Sequence, residues 1–148
     1  MSFHSVPRPN FFLRSKARAV QSAAPAQPRR ILIVEDQPVI RRAIAEELAL
    51  DGYDIAQAAN ATEAIALIGG GGTYELILTD IDMPGPFNGL QLAEFVKYVS
   101  PATCVIVMSG GAHAVDHLGA IDLFVAKPVP SAELRRQVAN RLPGPTTR

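Results

Sequence analysis

The 148-residue chain has no tryptophan, three histidines and a single cysteine. One cysteine cannot make an intrachain disulfide or a thiolate cluster, and Cys104 lies inside the apolar run CVIVM, where it reads as a buried, inert thiol. Zinc is therefore not expected, and His113 and His117, with Asp116 beside them, read as surface residues rather than ligands. No apolar stretch approaches the ~20 residues that cross a bilayer, and Phe11-Phe12-Leu13 is too short for a signal-peptide core. A cytoplasmic protein without integral membrane contact is expected. Acid is also missing from the first 30 residues, which hold six Arg/Lys, so residues 31–148 carry eight bases against fourteen acids. That acidic remainder offers little to a phosphate backbone, and nucleic acid is not an expected partner.

What remains is nearly half apolar, enough for the core of one domain but not two. Residues 1–29, rich in Pro, Ser, Ala and Arg, read as a flexible basic arm, with an organelle-targeting presequence or a membrane-surface anchor as alternatives. From Ile31 the texture changes. The continuous run ILIV suggests a strand covered on both faces, as in a parallel sheet. Pro38 suits a first helical turn, and Ile40, Ala43, Ile44, Glu47 and Leu48 follow at helical spacing, predicting a core-facing helix that breaks at Asp51-Gly52.

The couplet then recurs. A strand over residues 54–58 leads to a helix from about Ala61, with Asn60 as cap and Glu63 completing a capping box. Gly69 to Gly72 follow that helix and precede a strand, so they read as a connection and not as a phosphate cradle, which lies between a strand and the next helix. Leu76 to Thr79 form the third strand, and Leu92, Phe95, Val96 and Val99 mark the buried face of the third helix. CVIVM is the fourth strand, a short helix fills residues 112–118, and LFVA is the fifth strand. Ser131 caps a last helix with Leu134, Val138 and Leu142 inward. Five such couplets predict an open parallel α/β sheet with helices on both faces and right-handed crossovers.

In such folds ligands bind beyond the carboxyl ends of the strands. Glu35-Asp36 end the first strand, Asp80 the third, Ser109 the fourth and Lys127 the fifth, so every polar terminator falls on one edge. Two carboxylates about 4 Å apart repel by about 4 kcal/mol at an effective dielectric near 20, and one lysine cannot neutralise three acids. A cation is implied. Oxygen donors open to solvent suit Mg²⁺ or Mn²⁺.

These residues resemble the receiver domain of two-component response regulators over about residues 30–142. The likeness lies in "IVED", "LTDIDMPG", "VMSG" and "FVAKP", in order and on the expected strand ends. The resemblance implies a flavodoxin-like, doubly wound sheet of strand order 2-1-3-4-5, followed by a tail over 143–148. It implies Asp80 as phosphoacceptor, with Lys127 and Ser109 contacting the phosphoryl group. Glu35, Asp36, Asp80 and the backbone carbonyl of Asp82 would hold the metal. It implies a switch in which Ser109 moves inward and Phe124 fills the vacated space, and phosphate lifetime tuned by Asp82 and Gly111, here toward a short-lived phosphate. The implied partners are a sensor histidine kinase or histidine phosphotransferase and an unknown downstream protein.

Two departures bear on those expectations. Between Ser109 and Lys127 the chain is about one helical turn shorter than the family's usual length, so the fourth helix is clipped and the common mode of dimerisation is not expected, leaving a monomer or weak dimer. The loop "MPGPFNG" carries one extra residue. Only 21 residues follow Lys127, too few for a helix-turn-helix module, so a stand-alone receiver, a phosphorelay shuttle or a phosphate sink is expected. It would accept phosphoryl groups rather than turn over substrate as an enzyme. Two rival readings stay open: a haloacid-dehalogenase-like phosphatase using Asp80 and Asp82, disfavoured because that motif usually sits on the first strand, and a degenerate receiver serving only as a binding module.

Overall fold

The computed structural model describes residues 27–111 and 118–142. Five strands, β1 (Arg30–Val34), β2 (Asp54–Ala58), β3 (Leu76–Asp80), β4 (Cys104–Ser109) and β5 (Leu123–Ala126), form one parallel sheet in the order β2-β1-β3-β4-β5. Helices α1 (Pro38–Leu50), α2 (Ala61–Gly69), α3 (Gly89–Val99) and α4 (Ser131–Arg141) join or follow the strands, and Leu118–Ala120 form a 3-10 turn before β5. The doubly wound fold expected from the sequence is thus the one observed. The short helix expected over 112–118 falls outside the described residues except for its last position. So do His113, Asp116, His117, the arm as far as residue 26 and the tail over 143–148.

The continuous apolar strands are explained by two separate cores. On one face Ile31 and Ile33 pack with Leu76, Leu78 and Ile106 beneath α1 and α4. On the other, Leu32 and Val34 pack with Ile77, Val105 and Val107 beneath α2 and α3. Alternate residues of each central strand serve opposite layers, so polar residues enter these strands only toward their carboxyl ends, as at Thr79, Asp80 and Ser109. Each such leucine or isoleucine, fully buried, contributes about 1.5–3 kcal/mol.

Helix ends show where local signals acted. Pro38 is the first residue of α1. Asn60 accepts a hydrogen bond from the Glu63 amide at 2.8 Å, while the Glu63 carboxylate accepts from the Ala59 amide at 2.7 Å, one residue before the position a capping box would use. The complete capping box is at α3, where Asn88 and Gln91 bond each other's amides, both at 2.9 Å. Ser131 does not cap α4: it is the helix's first residue, and Pro130, which holds the cap position, makes no side-chain cap bond. Gly71 leaves α2 with φ +97°, a left-handed turn consistent with a connection.

The apolar stripe expected on α1 reaches the core only in part. Leu48 and Ala45 are buried, but Ile40 is 36% exposed and Ala43 is exposed. Ile40 and Ala43 instead face Val129 and Leu134 across a groove of about 610 Å³ between α1 and α4, which Ile44 also borders while packing against the core. On α3 the inward set is Leu92, Ala93 and Val96, with Val99 half-exposed at the helix end. Arg29, placed by composition in the arm, is already tied down: its carbonyl accepts from the Asp54 amide at 2.9 Å and its guanidinium pairs with Glu75 at 3.0 Å.

Candidate functional site

Register puts the polar terminators side by side. Val34 pairs with Thr79, so Glu35 and Asp80 are the next residues along on neighbouring strands. Asp80 pairs with Met108 and Ser109 with Ala126, which places Lys127 one step beyond the serine. One carboxylate oxygen from each of Glu35, Asp36 and Asp80 lies within 4.8 Å of the others. Glu35 is wholly buried and Asp80 is 7% exposed, while Asp36 is half-buried at the rim.

The Lys127 ammonium donates to Asp80 Oδ2 at 2.7 Å and to Glu35 Oε2 at 3.2 Å. Glu35 Oε1 also accepts from the Gln37 amide at 3.3 Å, and Arg41 Nη1 donates to the Glu35 carbonyl at 2.7 Å. Burial pushes the Glu35 carboxyl above its ordinary range, and Lys127 only partly offsets that effect. Burial lowers the Lys127 ammonium, but its bonds to Asp80 and Glu35 outweigh this and raise it. The pocket thus gathers three carboxylates around one ammonium, with Glu35 raised chiefly by its burial and Lys127 held charged by the acids. The donor set is all oxygen, clustered and partly open, and it fits Mg²⁺.

The backbone beneath Asp80 is held closely. The Thr79 hydroxyl donates to the Asp80 carbonyl at 2.9 Å, and the Ile81 amide reaches the Met108 carbonyl at 3.1 Å. The first residue of α3, Gly89, lies so near that a Cβ built on it would be 2.0 Å from the Asp80 carbonyl oxygen. Its amide bonds the Ile81 carbonyl at 2.9 Å, pinning the far end of the extended loop.

Five of the residues named from the sequence therefore meet at one mouth: Glu35, Asp36, Asp80, Lys127 and, beside them, buried Ser109, whose hydroxyl accepts from the Gly111 amide at 3.2 Å. Gly111 is exposed. The Asp82 side chain is exposed and stands outside the three-carboxylate group. Phe124 is on β5, half-buried against the α2/α3 core. Arg41 and Gly89 were not anticipated, because an arginine on an amphipathic helix reads as a solvated residue and a glycine after asparagine as a turn. The α1/α4 groove adjoins this mouth through Lys127, but its walls are mostly aliphatic, so the chemistry belongs to the acids.

Comparison with known proteins decides the family. The model of the response regulator receiver domain matches residues 31–139. The chain belongs to that family. Its members are phosphoacceptors of two-component signalling that interact with histidine kinases or phosphotransferases, with phosphorylation on aspartate and Mg²⁺. The receiver is 33% identical over 119 residues to the transcriptional regulatory protein AruR of Pseudomonas aeruginosa, an alignment covering 75% of this chain and 48% of that one. It is 34% identical to the sporulation initiation phosphotransferase F of Bacillus subtilis, covering 77% and 94%. The crystal structure of the response regulator TrrA from Thermotoga maritima, in complex with Mg²⁺-BeF, superposes with a TM-score of 0.70 at 34% identity, covering 77% of this chain and 99% of that one. The chain spans about half or less of several curated relatives it matches. Family and strand order together set aside the phosphatase reading. Among the described residues, no helix is long and apolar enough to cross a membrane.

Proposed function

We propose that this receiver accepts a phosphoryl group on Asp80 from a histidine kinase or histidine phosphotransferase and passes the signal on by protein contact, as a shuttle or as a sink. The observation that carries this reading is the meeting of Glu35, Asp36 and Asp80 oxygens within 4.8 Å beside the Lys127 ammonium. Coverage of 94% of the sporulation phosphotransferase supports the shuttle form, since that relative is little more than a receiver in length.

The residues divide the work as their positions suggest. An Asp80 carboxylate oxygen forms the new bond to phosphorus while the bond from phosphorus to the donor's imidazole nitrogen breaks, and the imidazole leaves with its electron pair. Lys127, now on Asp80 Oδ2, offers its ammonium to the incoming phosphoryl oxygens. Glu35, Asp36, Asp80 and the Asp82 backbone carbonyl would hold Mg²⁺ or Mn²⁺, which when bound supplies neutralising charge to the phosphoryl oxygens. Ser109 then bonds a phosphoryl oxygen, and Phe124 moves toward the space it leaves, converting a local charge into a changed surface. Gly111 leaves room for an attacking water, consistent with a short-lived phosphate.

Mass spectrometry after acetyl phosphate treatment with Mg²⁺ tests the reading. Wild type gains one phosphoryl mass and Asp80→Asn gains none; equal gain in both moves the acceptor to another residue, and no gain in either leaves a degenerate receiver that acts by binding alone.

A further inference from the structure

We infer that Arg41 is a positioning residue for the Glu35-Asp36 acid pair, fixing the peptide that carries both carboxylates. This rests on the reading of the acid cluster as a Mg²⁺ site. β1 ends at Val34, and the chain must turn into α1 while still presenting two acids at the mouth. The Glu35 amide is secured to the Ala58 carbonyl at 3.1 Å, which extends the ladder by one residue. The Glu35 carbonyl lies beyond that ladder and receives Arg41 Nη1 at 2.7 Å, from the first turn of α1.

That carbonyl belongs to the peptide joining Glu35 to Asp36. Holding it sets the plane from which both side chains depart, and the Gln37 amide on Glu35 Oε1 closes the same turn from the other side. A guanidinium suits the task because it is charged at all pH values near neutrality and planar, so its bond is short and directional. Arg41 is half-buried, whereas its neighbour Arg42 is exposed. Its charge also opposes a nearby cation, so the two effects of Arg41 on Mg²⁺ have opposite signs. Loss of anchoring weakens binding; loss of repulsion strengthens it.

Titration calorimetry of the full chain with Mg²⁺ alone separates them. Groups that hold a metal's ligands in place are typically worth about tenfold or more in affinity, so Arg41→Met binds Mg²⁺ about tenfold more weakly than wild type. Arg41→Lys, which keeps a charged donor, recovers part of the loss, and Arg42→Met binds as wild type does. In Mg²⁺-free buffer the Gln37 amide exchanges faster in Arg41→Met and not in Arg42→Met. Arg41→Gln carries the same expectation should the methionine variant not fold. Equal or tighter Mg²⁺ binding by the Arg41 variants overturns the inference while leaving the metal site standing; absence of Mg²⁺ binding by wild type overturns both.

Discussion

A side chain on Gly89 would have to share space with the peptide of Asp80, since its Cβ would come within 2.0 Å of the carbonyl oxygen and 2.9 Å of the Ile81 Cα. These are backbone atoms at the end of a fully buried strand and cannot swing aside. Gly89→Ala is expected to destabilise the fold by about 2–3 kcal/mol, measured by urea unfolding, and to slow acetyl phosphate labelling by displacing Asp80. Such a requirement is invisible in "FNGL", where the glycine reads as turn punctuation. Glu35, Ser109 and Lys127 were legible for the opposite reason, since each directly follows an unbroken apolar run, and Asp80 stands one threonine beyond such a run. Arg41 was not, because its function depends on reaching back six residues to a carbonyl.

At the scale of elements, caps and ion pairs join what the sequence separates. Asn88→Ala removes the acceptor for the Gln91 amide at the start of α3 and is expected to cost about 1 kcal/mol in chemical unfolding. Arg135 on α4 grips both carboxylate oxygens of Asp51, at 2.9 and 2.5 Å, where α1 ends. The guanidinium's hydrogen bonds hold the Asp51 carboxyl below its ordinary value of 3.8, against the opposing pull of burial. A depressed acid stabilises the fold fully above its unfolded value and loses that contribution as pH falls through the folded one. The stability advantage of wild type over Asp51→Asn should therefore be complete near neutrality and shrink below about pH 4, as read from unfolding midpoints across pH. Strand boundaries were legible to within a residue because apolar continuity stops where the sheet stops. The α1 stripe was not, because helical spacing shows which residues share a face but not whether a partner helix packs closely against it. Ile40, Ala43 and Ile44 share a face, and that face borders a groove.

For the whole molecule, the two cores and the acid cluster are mechanically one object, since β1 and β3 supply both the inner layers and the site. A ligand of the folded state alone stabilises it by mass action, by about 2.7 kcal/mol at a hundred times its dissociation constant. Mg²⁺ should thus raise the thermal unfolding midpoint of wild type and leave that of an Asp36→Asn, Asp80→Asn double variant nearly unmoved. Fold class was readable throughout, because five couplets of strand and helix admit few arrangements.

Leu134, Val138 and Leu142, from the end of the described chain, complete the layer over Ile33, Leu78 and Ile106. During translation that side of the sheet is covered by α1 alone until α4 leaves the ribosome, after the opposite layer already has both of its helices. A chain truncated before residue 131 would leave the α4 half of that layer uncovered, and a protease should cut it faster than the chain that carries α4.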